Sequence, residues 1–262
     1  MALHETTDLR AAAAFAESLA DAAGPIARRY FRSALEVEDK ADRSPVTVAD
    51  REIEARLRAL IRSRFPEHGI LGEEHGAEDA GRDFVWVLDP IDGTKSFVAG
   101  VPLFGTLIAL LDRGRPILGV IDHPALGERW VGAAGTVTLW NGKPCRTRRC
   151  GGLGRAILFS TSPDLFDGAD RDRFETVSRR ARMRRYGADC YAYALLAGGC
   201  IDAVLEASLK PYDVMALIPV IEGAGGVITD WRGERLGPDS DGRVVAAATA
   251  ELHGEILELL KA

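Results

Sequence analysis

Trp86-Val87-Leu88-Asp89-Pro90-Ile91-Asp92-Gly93-Thr94 carries an apolar, strand-like stretch into two carboxylates three residues apart, followed at once by a glycine and a hydroxyl. Hard oxygen donors in this order suit Mg²⁺ far better than zinc or copper. Gly93 lets backbone N–H groups approach a bound anion with no side chain in the way. The pattern D-x-x-D-G-T arises by chance in only a small fraction of chains of this length. Asp, Pro and Gly are also ordinary turn residues, so the same stretch read alone is consistent with a strand entering a turn. Further acidic residues at suitable places favour the metal reading, and with it a metal-assisted phosphatase.

Upstream, Asp8 to Phe31 is alanine-rich and predicts one long helix, kinked or restarted at Gly24-Pro25. Ser44-Pro45 then offers an N-cap and a first-turn proline for a second helix, in which Ile53, Leu57, Leu60 and Ile61 recur at helical spacing until Phe65-Pro66. Asp50 falls near the start of that helix. A strand at Ile70-Leu71 leads to Glu73-Glu74, and a strand over Phe84 to Leu88 leads to Asp89 and Asp92.

Downstream, apolar runs from Phe104 to Trp140 are broken by Asp112-Arg113-Gly114, Ala125-Leu126-Gly127 and Asn141-Gly142, which predicts an antiparallel meander. From Arg155 onward strands and helices alternate: strand 156–159, helix 171–183, helix 190–197, strand 201–205, a helix from Asp213 to Gly225-Gly226, strand 227–229, strand 244–247 and a terminal helix. Pro219 should kink the helix that follows Asp213. The chain shows no internal repeat and no clear linker. An α/β fold of layered helices and sheets in one domain over residues 1–262 is expected, with an N-terminal half to about residue 150 and a C-terminal half from about 151.

Composition narrows the function classes. With 47% hydrophobic residues among 262, the chain can bury a substantial core. Its 33 basic and 39 acidic residues give a net charge of −6, which offers no attraction to nucleic acid or to an anionic membrane. No apolar run is long enough for a membrane span, and Met1-Ala2-Leu3-His4-Glu5 lacks the features of a signal peptide, so a cytoplasmic location is expected. Cys145, Cys150, Cys190 and Cys200 form no C-x-x-C pair and are expected to be reduced and structural. His68, His75 and His123 are expected on the surface or in loops. The basic stretch Arg179 to Arg185 reads as a solvated helix face.

Gly72-Glu73-Glu74, Asp89-Pro90-Ile91-Asp92-Gly93-Thr94 and Tyr212-Asp213 through Glu222-Gly223-Ala224-Gly225-Gly226 resemble, in order and spacing, the signature segments of the inositol monophosphatase superfamily. The likeness spans nearly the whole chain. It implies an αβαβα sandwich and Mg²⁺-dependent hydrolysis of small phosphate monoesters with two or three ions. It further implies Glu73, Asp89, the Ile91 carbonyl, Asp92 and Asp213 as metal ligands. Asp50 matches the family acid that, with the motif threonine Thr94, orients the attacking water; Gly93 and Thr94 would bind the phosphate. On residues alone, Asp213 has capping of its own helix as an alternative role. Dimers are common in this family, so a homodimer is expected.

The segments Lys95-Ser96-Phe97 to Leu110, Arg185 to Tyr193 and Leu209 to Pro219 look closest to the histidinol-phosphatase branch, which implies L-histidinol phosphate as the substrate. Family members that act on inositol phosphate usually have tryptophan where this chain has Tyr212 and a small residue where it has Asp189. Histidinol phosphate carries an ammonium group and an imidazole that protonates near neutral pH. Asp189, beside Glu206 at the family's substrate-binding position, would complement that cation. Capping of the following helix is the alternative for Asp189. Tyr191 and Tyr193 fit either a pocket wall or the core. Rival functions are a broader phosphatase of inositol phosphates, fructose 1,6-bisphosphate or adenosine 3′,5′-bisphosphate, and a non-catalytic regulator that binds metal or phosphate.

Overall fold

The computed structural model describes residues 2–34, 37–39 and 45–261. α1 (Ala2–Tyr30) runs through Gly24-Pro25 without ending, with Pro25 inside it. β1 (Val37–Asp39) pairs antiparallel with β2 (Pro45–Thr47). α2 (Val48–Arg64) starts later than the Ser44-Pro45 signal suggested: Pro45 lies in β2, and Ser44 is outside the described residues. Thr47 is the cap. Its hydroxyl accepts from the Ala49 N–H, and Asp50 reaches back to accept the Thr47 N–H at 2.9 Å, so a reciprocal T-x-x-D box sets the boundary.

β3 (Gly69–Gly72), β4 (Gly76–Glu78) and β5 (Phe84–Asp92) precede the short α3 (Thr94–Val98), which leads into β6 (Gly105–Asp112), β7 (Arg115–His123), β8 (Glu128–Ala133), β9 (Leu139–Trp140) and β10 (Lys143–Pro144). These strands form one sheet in the order β10-β9-β8-β7-β6-β5-β3-β4. From β5 to β10 it is the expected antiparallel meander. Two of its turns, Arg113-Gly114 and Asn141-Gly142, place both residues at positive φ, which matches the twist of tight hairpins.

β11 (Ile157–Ser160), α4 (Gly168–Ser178), β12 (Met183–Tyr186), α5 (Cys190–Ala197), β13 (Ala203–Glu206), α6 (Pro211–Val214), α7 (Leu217–Gly223), β14 (Val227–Thr229), β15 (Val244–Ala247) and α8 (Ala250–Leu260) complete the chain. The second sheet has the order β12-β11-β13-β15-β14. The expected helix over 171–183 ends at Ser178, and the arginine-rich stretch after it becomes an edge strand parallel to β11. Arginine favours helix locally, but pairing with the open edge of β11 decides the state. Arg179 and Arg184 both reach Glu175, at 2.9 and 3.0 Å.

Alternation along the strands builds the layers. Trp86 and Leu88 pack with the buried faces of α1 and α2, whereas Val85 and Val87 face α5 and α7. In the second sheet Val204 faces those same helices, while Ala203 and Leu205 pack with Phe174 of α4 and Ile256 of α8. The result is the αβαβα sandwich. Both faces of β5 are covered, which is why its sequence reads as an unbroken apolar run.

The middle helices sit close to the first sheet because two glycines make room. Gly119 and Gly132 are cross-strand neighbours on β7 and β8. A Cβ at Gly119 would overlap the Ala216 carbonyl, and one at Gly132 would overlap the backbone of Pro219 and Val220. Pro219 cannot donate to the carbonyl four residues back, and the helix breaks at Met215-Ala216, dividing α6 from α7. The kink expected from Pro219 thus separates a short helix bearing Asp213 from the helix that packs on the glycines. Among the described residues no helix is long and apolar enough to cross a membrane. Gly119→Ala should cost about 1–3 kcal/mol by overpacking, lowering the thermal midpoint by roughly 2–4 °C per kcal/mol. An unchanged midpoint in a melting scan would show that α7 does not need this close approach.

Candidate active site

Asp89 and Asp92 are three positions apart, an odd offset that on a regular strand would point them to opposite faces. The strand is not regular there. Asp89 pairs with Leu107 and Asp92 with Gly105, so three steps on β5 oppose two on β6. This bulge at Pro90-Ile91 turns both carboxylates to one side. Pro90 has no N–H to lose from the ladder, and its carbonyl is held by Thr106 Oγ1 at 2.8 Å.

Asp213, the third residue of α6, joins them: ligand oxygens of Asp89, Asp92 and Asp213 all lie within 4.8 Å of one another. Asp213 also caps its own helix, accepting the Lys210 N–H through Oδ2 at 2.7 Å. The capping and clustering roles coexist because a carboxylate has two oxygens. Asp92 Oδ2 accepts the Cys190 N–H at 2.7 Å, which ties β5 to the start of α5.

Glu73 is outside this tight trio but close enough for its charge to act on Asp50, Asp89 and Asp213. Burial, then repulsion from Glu73, Asp92, Asp213 and Asp50, pushes the Asp89 carboxyl well above the usual range. Burial, followed by the Asp189 and Asp213 charges, does the same for Asp92. Asp213 is pushed up to about 7, chiefly by burial, with Glu73 and Glu206 adding repulsion and the Lys210 N–H opposing it. Burial also raises Asp50 against its hydrogen bonds to Thr47. Asp50 Oδ1 and Asp89 Oδ1 are buried without a hydrogen-bond partner. Crowded carboxylates with unspent oxygen lone pairs fit a hard divalent cation and fit few other ligands.

The residues around this cluster behave differently from one another. Thr94 Oγ1 donates to the Ile91 carbonyl at 3.0 Å, and Asp50 Oδ2 is taken by the Thr47 hydroxyl and N–H. The Thr94 proton is therefore not given to Asp50 here. Gly93 has φ +80°, and a Cβ on it would come 2.9 Å from Asp189 Oδ2. Asp189 stands at the cap position of α5, yet its side chain makes no cap bond; it accepts from Ser96 Oγ at 2.7 Å instead. Gly187, Ala188 and Asp189 have φ of +90°, +85° and +47° in succession. Such backbone is strained for Ala and Asp, and it aims Asp189 at the glycine. Glu206, on the last residue of β13, is 2% exposed and accepts from the Thr161 N–H and the Tyr193 hydroxyl at 2.7 and 2.9 Å.

Asp92, Thr161, Asp189, Tyr193, Glu206 and Asp213 share a cavity of about 130 Å³. A larger cavity of about 300 Å³ lies between α1 and the β7–β8 turn. Its central charges are paired, Arg129 with Asp122 at 2.7 Å and with Asp21 at 2.8 Å, whereas the carboxylates of the smaller cavity repel one another. The smaller cavity is the one that borders the aspartate cluster. Ser96 was missed in the sequence because only the fold brings it to Asp189. His123 is not a surface residue: it is buried on β7, with Nδ1 on the Phe104 carbonyl at 2.9 Å, and burial pulls its pKa down to about 4. Tyr193 proves to be both core and cavity wall.

A model of the inositol monophosphatase family matches residues 8–262. The bifunctional phosphatase IMPL2, chloroplastic, of Arabidopsis thaliana is 48% identical, over 97% of this chain and 76% of its own length. A histidinol-phosphatase of Chlorobaculum parvum is 37% identical, over 87% of this chain and 89% of its own. Among solved structures, an inositol monophosphatase from Zymomonas mobilis superposes with a TM-score of 0.89 at 43% identity, covering 97% of this chain and 98% of that one. Because the family match extends from residue 8 to residue 262 and takes in every acidic residue of the cluster, the chain belongs to the inositol monophosphatase family.

Proposed function

We propose that the protein is a Mg²⁺-dependent phosphomonoesterase that hydrolyses L-histidinol phosphate to L-histidinol and phosphate, in histidine biosynthesis. The observation that carries the substrate is Asp189, a carboxylate aimed by a strained turn into the cavity beside the aspartate cluster. Apart from its phosphate, inositol phosphate is a neutral polyol; histidinol phosphate presents an ammonium group, for which a second acidic wall is the natural complement. Glu206 adds negative potential to that wall. The likeness to a histidinol-phosphatase supports this reading. An inositol monophosphatase or a broader phosphatase is the second reading, favoured by the similarity to the Zymomonas mobilis structure and to a relative called bifunctional.

In this account Glu73, Asp89, the Ile91 carbonyl, Asp92 and Asp213 hold Mg²⁺. When bound, the metal supplies Lewis acidity and lowers the pKa of a water. The remaining work falls to the chain. Gly93 and Thr94 offer their amides to the phosphate oxygens. Asp50, whose Oδ1 is without a partner, accepts a hydrogen bond from the attacking water, and Thr94 helps to orient it. Asp189 and Glu206 hold the aminoalcohol. The water attacks phosphorus directly, so no side chain need become phosphorylated.

Phosphate release from histidinol phosphate and from inositol phosphate, each with Mg²⁺, tests the proposal. Asp89→Asn should lower turnover on histidinol phosphate by more than about 100-fold, since even outer-shell partners of a metal are worth about that much. Asp189→Ala should lower kcat/KM on histidinol phosphate by roughly 10- to 100-fold, the worth of one hydrogen bond to a charged group, and leave inositol phosphate little changed. Equal losses on both substrates would reject selection by Asp189, and no release from either would reject the phosphatase reading.

The carboxyl cluster also makes stability depend on pH. Asp213 titrates near 7 in the fold against an ordinary value of 3.8, so the metal-free fold holds its proton more tightly than the unfolded chain does. That contribution is complete below the ordinary value and is lost as pH rises through about 7. In EDTA the thermal midpoint should therefore fall between about pH 5 and pH 8, and Mg²⁺ should raise it more at the higher pH. A Mg²⁺ effect independent of pH would contradict the assignment of Asp213.

A further inference from the structure

Glu54 lies one helical turn after Asp50 on α2, and its side chain is completely buried. Its two oxygens are spent on the backbone of another element. Oε2 accepts the Glu74 N–H at 2.7 Å, and Oε1 accepts the His75 N–H at 3.1 Å. The Arg58 Nε donates to Oε1 at 2.7 Å and balances the charge. The same guanidinium donates to the Gly76 carbonyl and approaches Glu78 Oε2 at 3.3 Å. Gly72 leaves the space Glu54 needs, because a Cβ there would overlap its carboxylate.

These contacts surround a single residue. The turn between β3 and β4 runs from Gly72 to Gly76 and carries Glu73. The Glu73 N–H is held by the Leu88 carbonyl at 3.2 Å, and the next two amides are held by Glu54. Three consecutive N–H groups are thus fixed, one by the strand that carries Asp89 and two by the helix that carries Asp50. The geometry points to Glu54, neutralised by Arg58, as a positioning residue that sets where the Glu73 carboxylate stands relative to Asp89. A glutamine would supply one acceptor oxygen where two amides and an arginine need two, and would turn an NH₂ group toward a donor. Burying a carboxylate costs several kcal/mol, and here it secures a turn that water or a neutral amide would hold less firmly.

The inference rests on the reading of Glu73 as a Mg²⁺ ligand, and calorimetric titration of the full chain with Mg²⁺ alone tests it apart from activity. Glu54→Gln should weaken Mg²⁺ binding by about 10- to 100-fold, the usual effect of losing a group that orients a ligand. With Mg²⁺ saturating, KM for the phosphate ester should not move. Glu54→Asp keeps the charge facing Arg58 but withdraws the carboxylate from the turn, and should weaken Mg²⁺ by an intermediate factor; if Glu54→Gln does not fold, this variant decides alone. A lowered thermal midpoint with Mg²⁺ affinity unchanged would mean that Glu54 is merely structural and would overturn the inference. Glu73→Gln, titrated alongside, separates the two readings. Weakening by Glu73→Gln but by neither Glu54 variant would reject only the positioning role, whereas no weakening by Glu73→Gln would reject Glu73 as a ligand and the positioning role with it.

Discussion

Repulsion among crowded carboxylates is the constraint around which the protein is arranged. Asp89, Asp92 and Asp213 bring oxygens within 4.8 Å of one another, and the charges of Glu73, Asp50 and Asp189 press on the same volume. Left to itself such a cluster would take up protons or drive the elements apart. It persists because three of the carboxylates around it are fixed from behind: Asp92 by the Cys190 N–H, Asp213 by the Lys210 N–H, Asp50 by the Thr47 cap. A divalent cation would turn this repulsion into attraction.

The layers make that arrangement possible. β5 lies between two helical layers, so its end opens at the junction of the first sheet with α5 and α6. Gly119 and Gly132 let α7 lie close against β7 and β8, and the break ahead of Pro219 leaves α6 free to aim Asp213 at the end of β5. The bulge at Pro90-Ile91 completes the convergence by bringing Asp89 and Asp92 to one side. Backbone irregularities, namely a bulge, a helix break and three successive positive φ angles, concentrate where the charges meet.

Much of this was legible in the chain. Layered helices and sheets followed from periodicities of two and 3.6, their five-layer order from the family resemblance, and the meander from the breaks at Asp112-Arg113-Gly114, Ala125-Leu126-Gly127 and Asn141-Gly142. The acidic motif stood out because carboxylates, glycine and threonine are crowded into six residues. Other features were hidden because they depend on contacts between distant segments. Glu54 sits in Arg51-Glu52-Ile53-Glu54-Ala55-Arg56, which reads as an ordinary charged helix surface. Ser96 has no neighbour in sequence to suggest Asp189. His123 precedes a proline and looks like a loop residue, yet it occupies the core end of β7. The run after Ser178 looks helical from its arginines, and only the free edge of β11 makes it a strand. At Asp189 the sequence showed a charge in the right segment, while the turn that aims it could not be read from residue types that ordinarily avoid such backbone.

The central claim is that a divalent cation sits among Asp89, Asp92 and Asp213. Anomalous diffraction from crystals of the protein grown with Mn²⁺, a scattering substitute for Mg²⁺, tests it most directly. The expected result is an anomalous peak bounded by those three carboxylates. An ordered site with no peak there, or with the three side chains turned apart, would contradict the account.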